Sequence, residues 1–550
     1  MGKHLRVLLT LGLATLPAIA CSSGEQTKSS SPDAGSGGSA GSGEGGTGNI
    51  ITHTSGGTSS SDAAAGSSGK DANAGAAGDV GHLDASFDAL SMCDPPPPMD
   101  SGCGDAGLVT VQQAYLKSDN GLPELELGRA VAIDGDTLVT GSVKYGEDGD
   151  RGAAFVYRRD CDGWQLQAVL RPGDAQPYAD FGSSVAISGD TLVVGASRAI
   201  NGTSTPSDGA AYVYRHCGSS WIQESRLQAS NPDAGDLFGA SVGISGDAIV
   251  VGAVQERSTA TGVNGNSANN DAANAGAAYV FRRGSGTWTQ EAYLKASNTG
   301  TNDLFGGAVA ISGDTVVVGA IGEDSPATGV NGDDTDNSLG SAGAAYVFQR
   351  DSAGWAQQAY LKASNTHGNM SFGFSVAIDG DTLVVGALNE TSNATGVDGD
   401  QSDGFTTKGA AYVFVRSSGM WSQQAYLKQS NTGDFDRFGT SVSISGDRII
   451  VGAPEEDSAA TGLDGDGASD AAEESGAAYV YTRSGTTWAF TTYVKASNTE
   501  AGDAFGTSVG ISGAYFVVGA PLEDSGATRT NRDQSDNSAD ASGALYVFGR

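Results

Sequence analysis

Five stretches of the 550-residue chain set hard oxygen ligands at one recurring spacing, Asx-x-Asx-x-x-Asx, with a glutamate ahead of each. They are Glu256 with Asn264, Asn266 and Asn269; Glu323 with Asn331, Asp333 and Asp336; Glu390 with Asp398, Asp400 and Asp403; Glu456 with Asp464, Asp466 and, one place late, Asp470; and Glu523 with Asn531, Asp533 and Asp536. Calcium takes roughly six to eight oxygens from a flexible loop, and alternating Asx residues around a glycine supply several of them. The pattern therefore predicts candidate Ca2+ loops, with most carboxylate around Asp398 and Asp464. Asx and Gly are equally the ordinary residues of tight turns, and recurrence inside one chain can record duplication alone.

Other chemistry is thinly represented. Of five histidines, His4, His53 and His82 fall in the first hundred residues, while His216 and His367 are isolated. No nucleophile has a plausible base, no Gly-rich phosphate loop opens a helix, and no Cys/His cluster exists, so the chain reads as a non-enzyme. Paired carboxylates for glycoside chemistry are the alternative that abundant Asp and Glu leave open. The formal charge of −34 disfavours nucleic acid and anionic lipid as partners.

The elements that must position these loops are set by a repeat. A Phe-Gly or Leu-Gly pair recurs at Gly128, Gly182, Gly239, Gly306, Gly373, Gly439 and Gly506, separated by 54, 57, 67, 67, 66 and 67 residues. The stretch from Gly-Ala (Gly-Ser in the first repeat) to the following Gly-Ala-Ala element, Gly141 to Gly152 in the first repeat, is 11, 14, 24, 24, 23 and 24 residues long, so subtracting it leaves 43 each time. All length variation sits in one class of loop on an invariant frame. Within the frame, Ser-Val-Ala-Ile alternates as a half-buried strand does, and Leu-Val-Val-Gly-Ala is a strand buried on both faces. Ala-Ala-Tyr-Val-Phe and Gln-Ala-Tyr-Leu supply a third and fourth strand, with hairpin turns at Asp134-Gly135, Asp379-Gly380 and the matching Ser-Gly pairs. Trp164, Trp221, Trp288, Trp355, Trp421 and Trp488 all open the fourth strand, where packing between sheets is the expected role.

The two ends complete each other. Residues 108–120 read as a fourth strand without the first three, and Tyr115 precedes Gly128 by 13 residues, as Tyr293, Tyr360, Tyr426 and Tyr493 precede their own glycines. Residues 543–550 are a third strand without a fourth. The prediction is an all-β, seven-bladed β-propeller of four-stranded antiparallel blades, closed by the N-terminal strand completing the last blade.

Over residues 108–550 the chain resembles the FG-GAP repeats of integrin α subunits, and more closely bacterial exported proteins built from the same unit. The motif stands in Phe438-Gly439 with Gly452-Ala453-Pro454 and in Phe505-Gly506 with Gly519-Ala520-Pro521; Ser197, Val254, Ile321 or Leu388 replace the proline elsewhere. Integrin blades hold calcium in an Asp-rich loop between the first and second strands. Here that turn is only Ser-Gly-Asp, Asp-Gly-Asp or, in the last repeat, Ser-Gly-Ala, too short to wrap an ion, so that part of the likeness does not carry over. The likeness also implies ligand engagement on the face where loops joining strands two and three emerge.

Ahead of the repeats, Lys3, His4 and Arg6 precede an apolar run over residues 7–20, and Ala18-Ile19-Ala20-Cys21 follows. The layout predicts a signal peptide over 1–20 and resembles a bacterial lipobox, which implies lipidation of Cys21. Ala18 stands where leucine is usual, and ordinary cleavage with full secretion is the other reading. Residues 21–107 are a Gly/Ser/Ala-rich tether with a reach of about 50 Å. Four further cysteines, Cys93, Cys103, Cys161 and Cys217, allow three pairings in an oxidising compartment. A local Cys93–Cys103 bridge around Pro95 to Pro98 is favoured, with Cys161 and Cys217 in matching turns of neighbouring repeats.

The expected function is a monomeric surface-binding or adhesion module that presents acidic loops to an extracellular protein or glycan and meets the membrane only through its lipid anchor. A structural envelope component without a discrete ligand is the alternative, and a carbohydrate-active propeller enzyme a further one.

Overall fold

The computed structural model describes residues 110–146, 151–174, 176–200 and 208–549. Cys21, Cys93 and Cys103, with the proposed leader and tether, lie outside them.

Among these residues the strands form seven four-stranded antiparallel sheets. The third is representative: Phe238–Ser245, Ala248–Ala253, Ala277–Gly284 and Thr287–Leu294, hydrogen-bonded in chain order. Its second strand is buried at every position, which is why it reads as an unbroken apolar run. The fourth strand expected within residues 108–120 is Val111–Leu116, which pairs with Ala544–Gly549 and sets Tyr115 opposite Tyr546 and Leu116 opposite Leu545. The last blade is thus assembled from both ends of the chain.

The core lies between sheets. Phe305, on the inner strand of the fourth blade, sits 5.4 Å from Tyr346 and 6.2 Å from Phe348 and packs in one cluster with Ala278 and Val280 of the third. Tryptophans tie the outer strands together: the Trp355 indole donates to Glu291 of the preceding blade at 3.0 Å, Trp421 to Gln358 at 2.7 Å and Trp488 to Gln424 at 2.8 Å. The Phe-Gly and Gly-Ala motifs meet where neighbouring backbones touch. A Cβ on Gly252 would stand 2.0 Å from the Gly306 carbonyl oxygen, and Gly306 itself has φ +88, so both positions exclude side chains.

The hairpin turns between first and second strands do more than reverse the chain. Each turn glycine donates its N–H to the Ser or Asp ending the inner strand of the preceding blade: Gly189 to Asp134, Gly246 to Ser188, Gly313 to Ser245, Gly380 to Ser312, Gly446 to Asp379, Gly513 to Ser445 and Gly135 to Ser512. The bond from Gly135 to Ser512 joins the first blade to the seventh, so this circle is complete. Cys161, in the turn after Ala153–Asp160 of the first blade, and Cys217, the last residue of Ala210–Cys217 in the second, are both disulfide-bonded.

Candidate functional site

Strand direction alternates, so the loops between second and third strands share a face with the connectors leading to the next blade. Gly276, ending one such loop, bridges Phe305 at the start of the next blade. These loops are long in the third to seventh blades and short in the first two.

Each long loop runs back along the outer strand of its own blade. In the third, Lys295 N–H donates to the Gly262 carbonyl at 2.8 Å and Asn264 N–H to the Tyr293 carbonyl at 2.8 Å, while Val263 bridges Leu294. The loop thereby covers part of an exposed strand edge. The first Asx of every motif serves this pairing. Oδ1 of Asn264, Asn331, Asp398, Asp464 and Asn531 accepts the N–H of Tyr293, Tyr360, Tyr426, Tyr493 and Tyr115 at 2.8–2.9 Å. All five have φ between +51 and +55, a conformation that Asn and Asp tolerate better than other side chains.

The second Asx closes a small turn two residues on. Asn266, Asp333, Asp400, Asp466 and Asp533 accept the N–H of Ala268, Thr335, Ser402, Ala468 and Ser535. Bonds from Thr335, Ser402 and Ser535 hold the carboxyls of Asp333, Asp400 and Asp533 below the usual range. Of the third positions, Asn269 accepts from Thr259 and Asp336 and Asp536 from Ser338 and Ser538.

The glutamates are used differently. Glu256, Glu323, Glu390, Glu456 and Glu523 are buried and ion-paired with Lys295, Lys362, Lys428, Lys495 and Lys117 at 2.9, 2.6, 2.9, 2.8 and 2.7 Å. Around each ammonium stand further oxygens, such as the carbonyls of Ser392 and Gly409 at Lys428 and the hydroxyl of Ser542 at Lys117. The other carboxylate oxygen binds an asparagine from the preceding connector: Asn231, Asn298, Asn365, Asn431 or Asn498. That asparagine accepts in turn from a third-strand tyrosine, Tyr279, Tyr346, Tyr412, Tyr479 or Tyr546. Every network therefore ties a loop to its own outer strand and to the neighbouring blade. Burial would raise the Glu390 carboxyl, but the charge of Lys428 and bonds from Lys428, Ser392 and Tyr426 hold it below its ordinary value.

The structure does not gather each glutamate and its three Asx residues into one ligand set. Glu323, Glu390 and Glu456 are committed to lysines, Asn331, Asp398 and Asp464 to strand backbone, and Asp333, Asp400 and Asp466 to turns. Asp336 likewise caps a turn, while Asp403 and Asp470 lie further along their loops. Among the described residues no three His, Cys, Asp or Glu side chains converge as metal ligands.

Sequence reasoning missed the lysines, although a signal was present. Tyr-x-Lys ends the outer strand only in blades whose long loop carries the glutamate; the first two blades have Val169 and Arg171, and Arg226 and Gln228, at those places. Four aspartates ahead of the Phe-Gly motifs are buried as well. Burial raises Asp236 to about 7, Asp303 to about 6, Asp436 to about 7 and Asp503 to about 8, against single backbone N–H donors that pull them down. In the fifth blade the equivalent position is Met370, fully buried.

Such carboxyls add stability below their unfolded value of about 3.9 and give it up as pH climbs through their folded values. Glu390 has the opposite sign, adding stability above its unfolded value. Asp333, Asp400 and Asp533 share that sign, and because the contribution of such lowered carboxyls is already complete above about pH 5, the four raised aspartates should make the melting temperature fall between pH 5 and pH 8.5. Scanning calorimetry of Asp503→Asn should show a shallower fall; an unchanged slope would remove Asp503 from the account.

Seven stretches, residues 110–157, 164–214, 221–281, 288–348, 355–414, 421–481 and 488–548, match the FG-GAP repeat family. The chain belongs to the FG-GAP repeat family. No curated protein matches it significantly. Each FG-GAP unit runs from the outer strand of one blade through the third strand of the next, so repeat and blade are out of phase by one strand. That offset is what leaves a lone outer strand at the start of this FG-GAP chain to complete its last blade.

Proposed function

We propose that the protein is a non-catalytic recognition module held outside the cell through Cys21, with the long-loop face as its contact surface for a protein or glycan. The observation that carries this reading is the division of labour inside each long loop: one half is locked to the ring by a buried ion pair, and the other presents exposed side chains such as Asp333, Asp400 and Asp466. A closed ring bearing locked loops loses little conformational freedom on binding, which favours affinity. The FG-GAP propeller fold agrees with an interaction or adhesion role.

Converting Asp333, Asp336, Asp400, Asp403, Asp466 and Asp470 to Asn keeps the turn acceptors and removes six charges. Binding to glycan arrays and to immobilised envelope fractions should drop at least about tenfold, a change of about 1.4 kcal/mol, with the melting temperature nearly unchanged. Undiminished binding would sink the proposal.

The side chains as arranged do not fit a calcium site built from each loop's glutamate and Asx set, because lysine already supplies the cation to the glutamate. Loop order should then be independent of the metal. Melting in calcium and in chelator should differ by less than about 2 °C, and a large shift would restore the calcium reading.

A further inference from the structure

The sixth blade departs from its neighbours at one place on the loop face. In the fourth blade, Gln357 donates to the Ser297 hydroxyl at 3.0 Å, and Ser297 donates to Asp334 of the loop at 2.8 Å. The fifth repeats this with Gln423, Ser364 and Gln401, at 3.0 and 2.7 Å. These chains of side chains fill the gap between connector, loop and outer strand. In the sixth blade Phe490 stands in place of the glutamine and Gly467 in place of Asp334 or Gln401, leaving Ser430 with neither partner.

The result is a cavity of about 250 Å3. Phe490 and Tyr493 line it, with Asp464, Asn431 and Ser430 among its polar lining. Phe490 is half-buried, its ring 5.8 Å from Tyr481 and 6.2 Å from Tyr479. Asn431 is already engaged with Glu456, the Gly467 carbonyl and Tyr479. Asp464 spends Oδ1 on the Tyr493 N–H at 2.9 Å and keeps its second oxygen.

We propose that this cavity seats one neutral pyranose unit of a glycan. An aromatic wall suits the C–H face of a sugar ring, while a carboxylate oxygen and a serine hydroxyl suit its equatorial hydroxyls. The volume lies below the roughly 300 Å3 at which sites for drug-sized ligands begin, so one ring fits and a longer glycan must extend outward. Acidic sugars are disfavoured by Asp464 and by the charge of the chain. A ligand ammonium would meet phenylalanine, a weaker cation–π partner than tryptophan.

This inference rests on the loop face being a recognition surface, and its test separates the two. Methyl glycosides of glucose, galactose, mannose and N-acetylglucosamine, with lysine methyl ester as the cationic probe, are titrated into the protein and followed by NMR. At least one glycoside should bind with Kd about 1 mM. Gly467→Gln with Phe490→Gln rebuilds the plug of the fifth blade; a Cβ at Gly467 stands 2.9 Å from Asn431 Nδ2, so the amide must shift, and with the fold confirmed by its melting transition the variant should weaken that binding at least about tenfold. The reverse exchange in the fifth blade, Gln401→Gly with Gln423→Phe, should create a second equivalent site. Absence of glycoside binding, its survival in the plugged variant, or stronger binding of the lysine ester would each overturn the sugar assignment. Loss of array and envelope binding in the Asp→Asn variant would leave the recognition face standing regardless.

Discussion

Glu390→Ala costs the fold about 3–5 kcal/mol, because it leaves the Lys428 ammonium buried without its counter-charge. Neither side chain of this pair has any solvent exposure. The double variant Glu390→Leu with Lys428→Met, which removes both charges and keeps the volume, should recover part of the loss but not all of it, since Asn365, the Ser392 N–H and the carbonyls of Ser392 and Gly409 lose their partners. Urea unfolding at pH 7 of the two single variants and the double variant gives the coupling directly. Limited proteolysis within residues 391–408 then separates local release of the loop from global unfolding, since only the former leaves the other blades protected. A single-variant cost under about 1 kcal/mol would mean that the pair does not hold the loop.

Deleting residues 108–118 should prevent the ring from folding as a stable monomer. Three losses coincide: Tyr115 and Leu116 leave two buried clusters, Glu523 loses Lys117, and the strand Ala544–Gly549 becomes an open edge. Large buried side chains cost about 2–5 kcal/mol each and a stranded buried charge about 3–5. Their sum rivals the roughly 5–15 kcal/mol that holds a typical domain. The expected readouts are a lost or strongly lowered melting transition and self-association through the bare edge in size-exclusion chromatography. A synthetic peptide spanning residues 108–120, added in trans, should restore part of the transition. A truncated chain that melts like the parent would show that the ring does not depend on its closing strand.

Much of the architecture was legible in the residues. The constant 43-residue frame located all four strands of each blade, and the orphan strand around Tyr115 predicted closure, because β alternation and apolar runs report burial through short-range pattern. The tryptophans read correctly as packing elements for the same reason. The Ser-Gly and Asp-Gly turns were identified as hairpins, yet their circle of bonds from blade to blade was not, since each bond joins residues more than fifty positions apart. The loop motif was read for what its oxygens could hold. In place, Asn264 and its equivalents hold the backbone of an outer strand, and Glu256 and its equivalents hold lysines 38 or 39 residues away along the chain in four blades.

By itself, then, the order of residues determined the number of blades, the strand pattern within them and the place where length varies, since these follow from local periodicity and from what the chain ends lack. Only the tertiary structure decided which oxygens are spent and which are free. A carboxylate's role depends on the nearest opposite charge, and in this ring that charge comes from a strand far along the chain, for Glu523 from Lys117, 406 positions earlier. The same holds for the cavity beside Phe490, which exists because two substitutions distant in sequence face each other across one gap.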